Sequence, residues 1–178
     1  RNEKTGLLPT DEWKQATLKE PWYKGETPPL AIGQGYLTVT PIQVINMVNI
    51  LANDGLRVAP KLYFGQPRPE SVQLPLNREF LMRIRKGMVA VVNENGGTAR
   101  SVHIEGFTVA GKTATSQVVS LETLEEMDEE AREERKVQNH SWFVAFGPAE
   151  DPEVSVVVLV EHGGAGSRTA APVARRIL

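Results

Sequence analysis

The chain has no cysteine, which excludes disulfides, thiolate nucleophiles and cysteine-ligated metal centres. That absence is compatible with any redox compartment. A basic excess is missing too. Twenty Lys and Arg face 22 Asp and Glu, for a net charge of −2, whereas a dedicated nucleic-acid binder carries a visible basic footprint. The longest apolar run, Val154 to Val160, falls far short of the roughly 20 residues a membrane span needs. The histidines, His103, His140 and His162, stand at no metal-ligand spacing, and no cofactor is expected. The sequence opens at Arg1 with neither an initiator methionine nor a signal-like apolar segment, as expected of a fragment or a processed product. What is present is an ordinary globular composition. The 178 residues are 40% hydrophobic and 24% charged, enough for one domain with a sizeable core.

The first 35 residues are rich in Pro, Gly and Trp without a sustained period, and predict an ordered, irregular segment anchored by Trp13, Trp22 and Tyr23. A helix follows. Thr40, Pro41 and Gln43 have the form of a capping box with proline at the first helical position. Val44, Met47, Val48, Leu51 and Ala52 then recur at helical spacing up to a stop at Gly55. Residues 56–76 hold short extended pieces among four prolines. A second helix is predicted from an Asn77 cap to about Val92, with Leu81, Ile84, Met88 and Val91 on one face, ended by Asn95-Gly96-Gly97. Phe107 to Val119 alternates like a strand. Leu121 to Lys136 is a mixed charge run that predicts a solvated connecting helix. Ser141 to Phe146 and Val154 to Glu161 read as two strands joined by a turn-rich stretch. Because Val154 to Val160 is apolar on both faces, apart from Ser155, it is expected to be a central strand covered by helices. Thr169 is placed to cap a final helix running to Leu178. Together these elements make an α+β fold, antiparallel strands packed against helices.

The most informative stretch is Val109-Ala-Gly-Lys-Thr-Ala-Thr-Ser-Gln-Val118, because it fits two incompatible motifs. From Gly106 it matches the phosphate-cradling G-x-x-x-x-G-K-[ST] pattern. From Lys112 it reads Lys-Thr-Ala, one small residue from the Lys-Thr-Gly triplet of the penicillin-interacting acyl transferases. A phosphate loop needs consecutive backbone N–H groups curled around an anion at a helix N-terminus. Phe107, Thr108, Val109 and Ala110 are strand material instead, since β-branched residues resist those dihedrals. The residues after Thr113 continue an extended pattern. The nucleotide reading is therefore the remote alternative.

Other segments decide for the second reading. Ala31-Ile-Gly-Gln-Gly-Tyr-Leu-Thr-Val-Thr-Pro-Ile-Gln43 resembles the Gly-Gln-Gly…Thr-Pro-x-Gln stretch of penicillin-binding protein transpeptidases. His140-Ser-Trp-Phe-Val-Ala-Phe-Gly-Pro-Ala149 resembles the strand after the Lys-Thr-Gly strand. Val160-Glu-His-Gly-Gly164 and Ala171-Pro172 are similar to the domain's end. Lys4-Thr-Gly-Leu-Leu-Pro9 and Glu12-Trp-Lys14 point to the elongation-type penicillin-binding protein 2 group. These matches span nearly the whole chain in family order. Neither Ser-x-x-Lys nor Ser-x-Asn occurs: none of the serines at 71, 101, 116, 120, 141, 155 and 167 is followed by Lys three places on or Asn two places on. The chain is thus expected to be the C-terminal portion of a transpeptidase domain, with those elements upstream and the fragment alone inactive.

The resemblance implies a fold, a chemistry and partners. The fold would be part of the family's antiparallel sheet with its terminal helix. The reaction would be serine acyl transfer between peptidoglycan stem peptides, with β-lactam antibiotics trapped at the acyl stage. Lys112 would place a positive charge near the substrate's terminal carboxylate, and Thr113 would donate its hydroxyl to it. The N–H of Thr115 would be an oxyanion-hole donor, and its carbonyl would pair with the substrate backbone as with an added strand. Ala114 stands where the family has glycine, whose missing Cβ lets a ligand approach the backbone. Gln34 is expected to support the helix after it, and Trp142 and Phe143 to be core and sheet-face residues. Glu161-His162 is expected to be a surface strand end. A membrane glycan polymerase of the elongation machinery would be a partner, at the periplasmic face of the bacterial cytoplasmic membrane with the anchor upstream. Self-association of the fragment is expected, and the alternative function is a non-catalytic interaction or scaffold module of the same fold.

Overall fold

The computed structural model describes residues 4–67, 70–117, 127–130 and 139–178, and divides into two compact units, Arg1–Thr40 and Pro41–Leu178. The predicted charge-run helix at 121–136 lies largely outside the described residues, as do Val118 and Val119.

In the first unit, the segment expected to be irregular contains two helices and a 3-10 turn. Helix α1 (Asp11–Leu18) starts where the extended Thr10 accepts the N–H of Trp13, and Asp11 and Glu12 complement the helix dipole in its first turn. Lys19, left-handed at φ 62°, ends it. A 3-10 turn (Lys24–Glu26) and the short helix α2 (Thr27–Ala31) follow. Periodicity misses α1 because its one buried residue is a lysine. Lys14 is 1% exposed; its ammonium lies 2.7 Å from Glu26, 3.5 Å from Glu20 and 4.3 Å over the Tyr23 ring. The aromatic anchors hold as expected: Trp13 packs on Tyr36 and Trp22 Nε1 donates to Thr27.

The second unit opens with α3 (Pro41–Ala52), which buries Val48 and Ala52 and leaves Met47 exposed. Asp54 and Gly55 close it in left-handed conformations, with the Gly55 N–H on the Ile50 carbonyl. The strands β1 (Leu56–Val58) and β2 (Ser71–Gln73) form a small antiparallel pair. Helix α4 (Arg78–Asn93) is capped by Asn77, which accepts from the N–H groups of Glu79 and Phe80. Its buried stripe is Leu81, Met88 and Val92; Leu81 and Met88 of the predicted face are buried and Val91 packs half-buried against the core. Ile84 is exposed. Arg85 fills the interval instead, pairing with Asp54 and donating to the Ala149 carbonyl at 2.7 Å.

Three strands, β3 (Ala110–Ser116), β4 (His140–Gly147) and β5 (Val154–Val160), pair antiparallel in the order β3-β4-β5. The central strand is β4. The expectation that Val154–Val160 is central is corrected: among the described residues β5 pairs with β4 alone. It is apolar on both faces because both are covered. Val156 and Val158 join a core with Val92, Phe143 and the last helix, α5 (Ala170–Arg175), while Ser155 on the opposite face bonds Asn49 of α3. Phe143 and Phe146, both 0% exposed, point to opposite faces of β4 and fill separate cores; burial of each contributes about 1.5–3 kcal/mol.

Helix α5 ends before Leu178, and its start also differs from expectation. Thr169 makes no side-chain cap; its hydroxyl donates to the Gly163 carbonyl at 2.7 Å. The acceptor for the Ala170 N–H is Ser141 Oγ, 3.1 Å away and fully buried on β4. A cap supplied from a strand 29 residues earlier leaves no local signal.

Candidate active site on strand β3

All four candidate residues lie on β3, in register with β4: Lys112 opposite Val144, Thr113 opposite Phe143, Ala114 opposite Trp142 and Thr115 opposite Ser141. Side chains alternate along a strand. Lys112 and Ala114 therefore stand on one face, Thr113 and Thr115 on the other. Lys112 and Ala114 are exposed, and both threonines half-buried. The Lys112 ammonium donates to the carbonyl of Thr113. The Thr113 hydroxyl lies 3.2 Å from that of Thr98. One residue on, Ser116 Oγ accepts from Trp142 Nε1 at 3.1 Å. Neither Thr98 nor Ser116 was picked out from the sequence. Thr98 sits in a turn 15 residues from Thr113, and nothing in its spacing marks it.

The four residues do not converge on one face. They flank the edge of a strand that, among the described residues, pairs on one side only. In an antiparallel strand each residue directs its N–H and C=O to the same side. A β3 edge thus offers backbone donors and acceptors in a row, with a cation above and hydroxyls below, which suits an extended peptide ending in a carboxylate.

The same geometry removes the phosphate-loop reading. Gly106 lies in the turn between the bridged residues Ile104 and Phe107, and Ala110 to Thr113 run within β3. No helix N-terminus is formed by Lys112 or Thr113, so there is no ring of N–H groups for an anion. Gly111 serves packing. A Cβ there would lie 2.7 Å from the Phe143 ring, 3.1 Å from Val92 and 3.2 Å from the Val144 carbonyl, so its absence lets α4 close on the sheet.

Elsewhere, Gln34 is half-buried in the first unit, its N–H on the Pro29 carbonyl. Trp142 is half-buried and Phe143 wholly so. Glu161 and His162 lie in the turn after β5; His162 packs edge-on against His140 with ring centres 4.9 Å apart, and its N–H donates to His140 Nδ1.

Helices on both faces of an antiparallel sheet, with Lys-Thr-Ala-Thr along the β3 edge, are the arrangement the sequence resemblance leads one to expect. The chain belongs to the penicillin binding protein transpeptidase domain family, whose model matches residues 1–178. It is 35% identical to the peptidoglycan D,D-transpeptidase MrdA of Haemophilus influenzae over 189 aligned positions, covering 100% of this chain and 29% of that protein. Among solved structures, it resembles a penicillin-binding protein (PBP2) in complex with MreC from Helicobacter pylori, with a TM-score of 0.83, 31% identity and coverage of 99% of this chain and 30% of that one. It also resembles a chain in a peptidoglycan synthase complex described as coordinating polymerization and crosslinking, with a TM-score of 0.75, 34% identity and coverage of 98% and 28%. The chain thus spans less than a third of the length of these relatives.

Proposed function

We propose that these residues are the C-terminal portion of the transpeptidase domain of a peptidoglycan D,D-transpeptidase of the penicillin-binding protein 2 group. The observation that carries the reading is β3 itself: Lys112, Thr113, Ala114 and Thr115 in sequence along a strand edge, within a chain that matches the family from end to end. A serine outside these residues attacks the carbonyl of the penultimate D-alanine of a stem peptide. The terminal D-alanine leaves with the serine proton, and an amine of a second stem peptide displaces the serine to form the cross-link. Lys112 and Thr113 hold the terminal carboxylate. The Thr115 N–H stabilises the oxyanion, a donor whose loss costs about 100- to 1000-fold in rate. β-Lactams enter as mimics of the substrate and stop at the acyl-enzyme.

The whole protein works at the periplasmic face of the cytoplasmic membrane with a membrane glycan polymerase. Support comes from the peptidoglycan synthase complex to which the chain is similar. Among the described residues no helix is long and apolar enough to cross a membrane.

Labelling of the full-length protein with a fluorescent penicillin tests this reading. Lys112→Ala is expected to slow labelling by about 10- to 100-fold, on the scale of one hydrogen bond to a charged group, and undiminished labelling would remove Lys112 from the site. The 178-residue chain alone is expected to take no label; a stable adduct on it would place the nucleophile within these residues. A full-length protein that takes none would favour the interaction-module reading.

A further inference from the structure

The Thr98–Thr113 contact joins two side chains whose backbones are both fixed against the end of α4. On one side, Gly97 N–H donates to the Glu94 carbonyl and Ala99 N–H to the Val91 carbonyl, 3.1 and 3.0 Å away, and Ala99 is fully buried. A Cβ on Gly97 would lie 2.3 Å from the Val91 carbonyl oxygen and 2.7 Å from that of Ala90. Glycine alone lets this turn lie so close to the helix. On the other side, β3 is fixed by the packing of Gly111 against Val92. The packed neighbours thus hold the two backbones at the separation that lets the hydroxyls, one on an exposed and one on a half-buried side chain, meet at 3.2 Å.

A threonine hydroxyl has one proton and two lone pairs. Were Thr113 to spend its proton on Thr98, it would turn lone pairs toward an incoming carboxylate. When Thr98 donates instead, the Thr113 proton is left for the ligand, and the charge-assisted bond so formed is about twice as strong as a neutral one. A carboxylate thus selects the second arrangement. Resting on the assignment of Thr113 to the substrate carboxylate, we propose that Thr98 is a positioning residue whose hydroxyl orients that of Thr113 toward it. Thr98 touches no reacting atom and acts through its neighbour.

The test is the kinetics of penicillin acylation in the full-length protein, resolved into the binding constant and the acylation rate constant. Thr98→Val, nearly isosteric and on an exposed side chain, is expected to weaken binding about five- to tenfold, as expected for one hydrogen bond, with the acylation rate constant little changed. Thr98→Ser restores binding. A penicillin methyl ester, which lacks the carboxylate, is acylated equally by wild type and Thr98→Val. In a Thr113→Val background, Thr98→Val adds no further loss, because the group it orients is gone. A silent Thr98→Val beside a Thr113→Val that does weaken binding overturns the positioning role alone. A silent Thr113→Val overturns the carboxylate assignment, and the positioning role with it. Losses that add, or that persist with the ester, mark Thr98 as structural.

Discussion

Ala114 is the residue at which this chain departs from its family's triplet, and its place on β3 separates two consequences. Its side chain is exposed, opposite Trp142 and on the face shared with Lys112. The methyl therefore supports no core, but under the function proposed above it stands beside the backbone that a docked peptide would approach. Ala114→Gly is expected to speed acylation by bulky β-lactams on the order of tenfold, the effect of one methyl-sized intrusion. The same change is expected to lower folding stability by about 0.5–1 kcal/mol, because glycine in a strand loses more chain entropy on folding. Stopped-flow acylation and urea denaturation read the two separately, and acylation that slows in step with stability would sink the account. At this scale the triplet was legible because Lys-Thr-Ala is contiguous. Its division between two faces of β3 also follows from alternation. Thr98 was not legible, since its meeting with Thr113 depends on how a turn lies against α4.

Among the elements, α1 shows why a helix built around a charge escapes periodicity. Lys14 occupies the buried position an apolar residue would take, and Glu26 and the Tyr23 ring make that burial tolerable. Burial alone would pull the Lys14 ammonium down, but its hydrogen bond to Glu26 and the charges of Glu26, Glu20 and Tyr36 outweigh it, leaving its pKa above the usual 10.5. The Glu26 carboxyl is held below its usual 4.5, first by the bond from Lys14 and then by the Tyr23 N–H. A lowered carboxylate pKa contributes stability that is present above its unfolded value and lost as pH falls through the folded one. A raised lysine pKa contributes stability that is full below its unfolded value and lost as pH rises through the folded one. The first unit should therefore be most stable between these limits, as read by the fluorescence of Trp13 and Trp22. Glu26→Gln should lower that plateau and flatten its acid limb; an acid limb of unchanged steepness would exclude Glu26 as its source. Elsewhere the elements that were read well carry their signals locally. Asn77 caps α4 through its own next residues, whereas Ser141 caps α5 from another strand and Arg85 enters the α4 stripe through partners on distant turns. Long-range partners leave no period to count.

For the whole molecule, the order of motifs along the chain revealed the family, but strand order could not be read from hydrophobicity. Two-sided burial of β5 comes from α3 and α5, and its far edge, among the described residues, pairs with nothing. An apolar edge with unpaired backbone groups invites another strand. Val154 is 37% exposed at the start of that edge, and Val157, Leu159 and Val160 are half-buried along it. The 178-residue chain taken alone should therefore associate with itself as its concentration rises, as measured by sedimentation equilibrium. Val154→Lys, which adds a charge at the exposed end of the strand without entering either core, should weaken that association while leaving thermal unfolding nearly unchanged. The resemblance implies that the full-length protein supplies a further strand beside β5; with the edge so covered, the association should vanish. A chain that stays monomeric at high concentration would mean that the β5 edge is protected from within, and an association that Val154→Lys leaves intact would move the contact to another surface.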